Sequence, residues 1–173
     1  MGGIMSRAFV KEDSANQPED LPERQSSGLP NYVTPQGKAE LGSRVAGLEA
    51  ACRTLKLEKS DDPLLKQRLR LAERDLRYYE RRLKTAILVD NTGCGAGEAR
   101  FGAQLVIRDE AGALQSYIIV GEDEADAAAG KISWASPLAT ALLGARPGDA
   151  PALKKQTGEA RLEIVSVSYA KAA

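Results

Sequence analysis

Histidine is absent from all 173 residues. That removes imidazole acid–base catalysis, Ser/His/Asp triads and histidine-ligated metal sites together. Cysteine is almost absent too: Cys52 and Cys94 stand alone and far apart, a pattern no thiolate metal site uses. No apolar run approaches the length of a membrane span, and residues 1–10 lack the apolar core of a signal peptide. The chain is therefore expected to work in a reducing, cytoplasmic setting with no membrane partner. Residues 1–4 read as an addition upstream of a start at Met5. Net charge is lacking as well, since 24 Lys/Arg balance 24 Asp/Glu, so bulk charge neither favours nor excludes a nucleic-acid partner. Gly93, Gly95 and Gly97 do not lead into a strand–helix unit, which excludes a dinucleotide cradle. The length allows one or two small domains.

What the chain does have is heptad spacing. Leu41, Val45, Leu48, Cys52 and Leu55 recur at alternating steps of four and three, and so do Leu65, Leu69, Ala72, Leu76, Tyr79, Leu83 and Ala86. An apolar repeat of 3.5 residues is the seam of a two-stranded coiled coil, narrower than the stripe of a helix on a globular core. Thr34-Pro35 and Asp61-Asp62-Pro63 each supply an N-cap followed by proline at the first helical position. Helices over 35–57 and 63–86 then fold back on each other as an antiparallel hairpin. At about 1.5 Å of rise per residue its length is roughly 35 Å. Glu58, Asp61 and Asp62 lie at its tip.

Charge is unevenly distributed around this arm. Residues 65–89 carry eight Lys/Arg against three Asp/Glu, whereas residues from 90 onward carry eight against eleven. Arg70, Arg74, Arg77 and Arg81 fall off the seam, with Arg68, Arg82 and Lys84. Two readings stand for this strip: a solvated flank with local Glu/Arg pairs, or a surface for a phosphate-bearing or acidic partner. The tip carboxylates have two readings as well, ordinary turn polarity or part of the oxygen shell of a hard cation such as Mg²⁺.

The rest divides simply. Residues 1–32, polar and proline-rich, read as a flexible tail; residues 33–89 are the hairpin; residues 98–173 form a second domain beyond the glycine linker. That domain reads as short strands over 101–108, 114–121, 131–135, 153–155 and 161–169, with a short helix over 138–143 capped by Ser136-Pro137. Val165 and Val167 alternate with Ser166 and Ser168, as expected of a sheet with one wet face. Glu122-Asp123-Glu124-Ala125-Asp126 lacks the glycine and terminal glutamate of a calcium loop and is expected to be solvated. The fold class is α+β: a two-helix coiled coil followed by an antiparallel sheet with one short helix.

The segment Ile132-Ser133-Trp134-Ala135-Ser136-Pro137-Leu138-Ala139-Thr140-Ala141-Leu142-Leu143-Gly144, followed by Gly148-Asp149, closely resembles the C-terminal signature of bacterial Gre transcript-cleavage factors. Tyr117-Ile118-Ile119-Val120-Gly121 resembles the family's preceding strand, and Val33-Thr34-Pro35-Gln36-Gly37 its opening. The resemblance implies an FKBP-like C-terminal domain that docks on RNA polymerase and a coiled coil that enters the secondary channel. It implies contacts to the polymerase through Ser136 and Pro137, and a basic strip of Arg70, Arg74, Arg77 and Arg81 facing nascent RNA. Tip acids, Glu58 and Asp61 with Asp62 beside them, would share Mg²⁺ with the polymerase, whose own active site cleaves backtracked RNA. No tightly bound cofactor and no intrinsic enzymatic activity are expected, and the chain is expected to be a monomer.

The sequence also departs from the family's pattern. Where the family's tip has an aspartate three residues before its glutamate, this chain has Leu55 before Glu58, and the glycine and asparagine of that motif are missing. The first helix is shorter than a typical Gre arm by roughly three turns, placing the tip about 15 Å nearer the globular domain. Ala135 stands where the family has an acidic or amide residue. A channel-binding regulator without cleavage activity is the alternative these departures favour. A peptidyl-prolyl isomerase, suggested only by the FKBP-like fold, would need an aromatic pocket from Phe101, Tyr117, Trp134 and Tyr169.

Overall fold

The computed structural model describes residues 21–58, 61–95, 97–155 and 158–170. Three helices share one initiation device. In α1 (Pro35–Leu57) the Thr34 hydroxyl accepts from the Gly37 N–H at 2.9 Å. In α2 (Pro63–Lys84) Asp62 accepts from Leu64 N–H at 2.9 Å. In α3 (Pro137–Leu142) Ser136 accepts from Ala139 N–H at 3.2 Å. In each case proline occupies the next position, where its missing donor costs nothing.

The α1–α2 hairpin closes along the seam that the heptads specify. Leu41, Val45 and Cys52 are buried, and Leu48 and Leu55 partly so. Tyr79 is buried opposite them, with Leu76, Leu83 and Ala86 packed around it. The Cys52 thiol is the small apolar residue expected there, and burial pushes its pKa up. Tyr78, outside the repeat, is buried as well; its ring meets that of Tyr79 edge-on at 5.0 Å.

At the base of the hairpin β1 (Tyr32–Val33) pairs in parallel with β2 (Ile87–Leu88), tying the chain before α1 to the chain after α2. The C-terminal sheet has the order β5–β4–β3–β8, from β3 (Gln104–Arg108), β4 (Leu114–Val120), β5 (Lys131–Ser133) and β8 (Glu163–Ser168). β6 (Ala152–Lys155) and β7 (Gly158–Arg161) form a separate hairpin. The core is Leu105, Ile107, Ile119, Ile164 and Val167 from the sheet, with Ala139 and Leu142 of α3 laid on it.

Three expectations need correction. First, β5 joins the edge of the sheet in parallel with β4, so the sheet is antiparallel except at that edge. A parallel neighbour requires a crossover, and here the crossover is the acidic stretch between β4 and β5, wound into two 3₁₀ turns. Second, Val165 does not share a face with Val167. The register of β8 slips opposite Val106 and Ile107, leaving Val165 as the extra residue of a bulge, so Ile164 and Val167 point inward while Val165 is exposed. Third, the part of the expected flexible tail that is described does not hang free; residues 1–20 of it lie outside the described residues. Residues 21–32 run along α2, with Leu21 beside Arg70 and Arg74 and Asn31 donating to the Arg82 carbonyl at 2.7 Å. Composition concealed this because the anchoring is by stacking and ion pairs, not by large apolar residues.

Candidate functional site

Glu58 is the exposed C-cap of α1, its N–H bonded to the Thr54 carbonyl at 3.3 Å. Lys59 and Ser60 lie outside the described residues. Asp61 is fully exposed, and the Lys66 ammonium at 2.8 Å, which donates to it and attracts it, holds its carboxyl below the usual range. Asp62 is engaged as the cap of α2. Leu57 and Leu64 flank these acids with their side chains largely in solvent. Just below the tip Lys56 bridges to Glu73 on the other helix at 2.8 Å. No group of three His, Cys, Asp or Glu among the described residues lies close enough to hold a metal ion. The tip is an incomplete oxygen donor set, suited to sharing an ion rather than to holding one.

The strip of arginines on α2 is less open than a solvated flank. Arg74 is drawn to its neighbour Asp75 at 3.1 Å. Arg77 donates through both Nε and Nη2 to one oxygen of Glu23, at 2.9 and 2.6 Å, and Arg81 comes within 3.9 Å of the other oxygen. Arg70 is half-buried, and its Nε finds no acceptor among the described residues.

Arg82, grouped with that strip in the sequence, fits neither reading, being 5% exposed. Its guanidinium makes an ion pair with Asp123 and another with Glu122 at 3.3 Å. Tyr78 donates its hydroxyl to the second oxygen of Asp123 at 2.8 Å, and burial, followed by that carboxylate, pushes its pKa up to about 12. Glu124 completes the junction. Its two oxygens accept from the Thr34 N–H at 3.0 Å and from the Thr34 hydroxyl at 2.5 Å, so its charge sits at the positive end of α1. The loop expected to be solvated is therefore the clamp that joins globular domain to arm. The signal for it lay in Gly37: a side chain there would fall inside the Glu124 carboxylate. Gly121 is constrained alike by the Tyr32 carbonyl.

Ser136 and Pro137 form the cap and first turn of α3, with Pro137 exposed. Ser136 is partly buried and its hydroxyl is committed to the cap. Trp134, two residues earlier, meets the Tyr32 ring edge-on at 5.1 Å, and Phe101 meets the same ring at 6.1 Å. Tyr169 instead holds the Glu98 carbonyl and the Arg100 N–H, while Tyr117 donates to Gln115. Of the four aromatic residues considered for an isomerase pocket, Phe101 and Trp134 share the Tyr32 ring, and all four pack against the core of the sheet. The site that the structure assembles is an arm with a carboxylate tip, a basic flank and a clamped base.

Residues 95–169 match the family described as Transcription elongation factor, GreA/GreB, C-term. The chain is similar to transcription elongation factor GreB of Neisseria meningitidis serogroup B, 34% identical over 160 residues that cover 84% of this chain and 98% of that one. It is also similar to transcription elongation factor GreA of Verminephrobacter eiseniae, 38% identical over 114 residues covering 65% of this chain and 72% of that protein. Among solved structures, GreA/GreB from Nitrosomonas europaea aligns at 22% identity with a TM-score of 0.40, over 82% of this chain and 99% of that one. GreA factor homolog 1 of Thermus thermophilus aligns at 24% identity and a TM-score of 0.37, over 81% and 99%.

Proposed function

This chain belongs to the GreA/GreB family of transcription elongation factors, and from that premise we propose that it regulates elongation from within the secondary channel of RNA polymerase. The globular domain, residues 98–173, docks at the channel entrance through the α3 cap, Ser136 and Pro137. The hairpin of residues 33–89 enters the channel. Glu58 and Asp61 meet the catalytic centre, and Arg70, Arg74, Arg77 and Arg81 face nascent RNA. The protein works as a cytoplasmic monomer and catalyses nothing by itself; backtracked RNA is cut by the polymerase. A Mg²⁺ shared between the tip and the polymerase would polarise the attacking water and the scissile phosphate when bound. The tip's own part is to supply Glu58 as a ligand at the end of a stiff support, with Asp61 available once Lys66 lets go. The observation that supports this reading best is a two-helix arm with exposed acids at its tip and a buried clamp to the globular domain at its base.

A second reading, occupation of the channel without cleavage, is favoured by one specific observation. Two of the three tip acids already have intramolecular work, Asp61 with Lys66 and Asp62 as a helix cap. Leu55 and the short arm point the same way. A cleavage assay on backtracked elongation complexes separates the two. Stimulated cleavage by the wild type, lost in Glu58→Ala, supports the tip as cleavage cofactor. Binding without stimulation supports the occupier.

A further inference from the structure

We propose that the segment ahead of the arm is a built-in competitor for single-stranded RNA: the Glu23 carboxylate takes the place of a phosphate on Arg77 and Arg81. The inference rests on the reading that this face of the arm meets nascent RNA, and it adds an internal gate to that face.

The segment is fixed at two points. Upstream, the Arg24 guanidinium lies 4.3 Å from the centre of the Tyr78 ring and 5.1 Å from that of Tyr79, donates to the Tyr79 hydroxyl at 3.3 Å, and sits 3.7 Å from Asp75. Guanidinium stacking on tyrosine is a specific contact, unlike the drape of a polar tail. Downstream, Asn31 donates to the Arg82 carbonyl at 2.7 Å and to the Thr85 hydroxyl at 3.2 Å. Next to the Arg24 anchor, Glu23 receives both the Nε and the Nη2 of Arg77 and stands 3.9 Å from Arg81. Two guanidinium donors converging on an anionic oxygen is also how arginine takes a phosphate.

The contact encloses a cleft of about 380 Å³ lined by Leu21, Glu23, Arg70, Glu73, Arg74 and Arg77. Its other carboxylate, Glu73, is neutralised by Lys56 at 2.8 Å. Arg70 contributes a buried Nε with no acceptor among the described residues, a donor that a phosphate oxygen would satisfy. The cleft therefore has anion-binding capacity beyond what Glu23 uses.

Magnitudes decide that Glu23 filters rather than blocks. The side chains of Glu23, Arg77 and Arg81 are 42%, 54% and 55% exposed, and ion pairs that open to water are weak and screened by salt. A strand of RNA engages several arginines together and gains by counterion release, which one carboxylate cannot match. A single small anion has no such advantage.

The test uses the full chain and a short fluorescent oligouridylate, with affinity read by anisotropy at low and moderate salt. Glu23→Gln is expected to bind about two- to fivefold more tightly than wild type, as release of one exposed ion pair allows. Arg24→Ala, which unhooks the segment at a different contact, is expected to give a gain of the same size. In the Arg77→Ala background Glu23→Gln is expected to add nothing. Unchanged or weaker RNA binding by both single variants, with melting curves matching wild type, overturns the proposal. Polymerase binding is measured alongside. Failure of the wild type to bind polymerase would overturn the functional reading while leaving the RNA comparison to decide the competitor.

Discussion

At the scale of single residues, the glycine of the first helical turn carries more information than its chemistry suggests. Gly37 and Gly42 both lie in α1, where glycine ordinarily costs about 0.5–1 kcal/mol relative to alanine. An added methyl at Gly42 meets nothing within 4 Å, whereas at Gly37 it meets the Glu124 carboxylate. The two substitutions should therefore have opposite signs. Gly42→Ala is expected to raise stability by about 0.5–1 kcal/mol, and Gly37→Ala to lower it by about 1–3 kcal/mol because the clamp must shift. Urea unfolding followed by circular dichroism measures both, and a gain at each position would show that Glu124 is not seated on the helix start. Tyr78 makes a second residue-level prediction. Its folded pKa of about 12 lies above the ordinary value of 10.0. A raised folded pKa means that its contribution is complete below pH 10 and fades as pH rises toward 12. Tyr78→Phe, having no proton to lose, is expected to flatten that alkaline decline in stability.

At the scale of elements, what the sequence made legible is whatever depends on local spacing. Heptads at Leu41, Val45 and Cys52 and the paired cap–proline signals locate both arm helices and their starts, because seam burial and capping are decided within a few residues. The end of α2 is less well located: it stops at Lys84, two residues before the expected end at 86. The same cap logic locates α3 at Ser136-Pro137. Features decided by distant partners were not legible. Four carboxyl groups in residues 122–126 look solvated until Arg82, forty residues earlier on another element, is seen to approach them. The bulge at Val165 cannot be read from β8 alone, since it is a property of the pairing with β3. At the tip the three acids were legible as a cluster, but not their division of labour. That division predicts unequal behaviour. Asp62→Ala removes a cap and should cost about 0.5–2 kcal/mol of arm stability. Asp62→Asn keeps a capping oxygen and removes only charge. If Asp62 acts through helix order, the Asn variant is expected to keep wild-type activity on elongation complexes while the Ala variant loses it; equal loss in both would assign the role to the charge.

At the scale of the whole molecule, the contact between arm and globular domain combines the β1–β2 pair, Glu124 on Thr34 and a buried cluster of unlike charges around Arg82. Arg82 and Asp123 have side chains 6% and 10% exposed. Removing Arg82 leaves Asp123 and Glu122 without their cation and should cost about 3–5 kcal/mol, whereas Asp123→Ala leaves Arg82 paired with the half-buried Glu122 and should cost less. Replacing both members of the Arg82–Asp123 pair with apolar residues of similar size is commonly tolerated. Arg82→Met combined with Asp123→Leu is therefore expected to stay folded but to lose the directional contact between arm and domain. Two thiols can report this. Cys94 is exposed on the domain side, Cys52 is buried in the seam, and Leu57→Cys would place a reactive thiol at the exposed tip. Spin labels at positions 57 and 94 are expected to give a narrow distance distribution in the otherwise native chain and a broad one in the double variant. Under the proposed docking mode polymerase binding should change little, while the effect of the arm on elongation falls severalfold. An unchanged distribution would mean that the β1–β2 pair and Glu124 hold the angle without Arg82, leaving the Arg82–Asp123 pair a purely stabilising role.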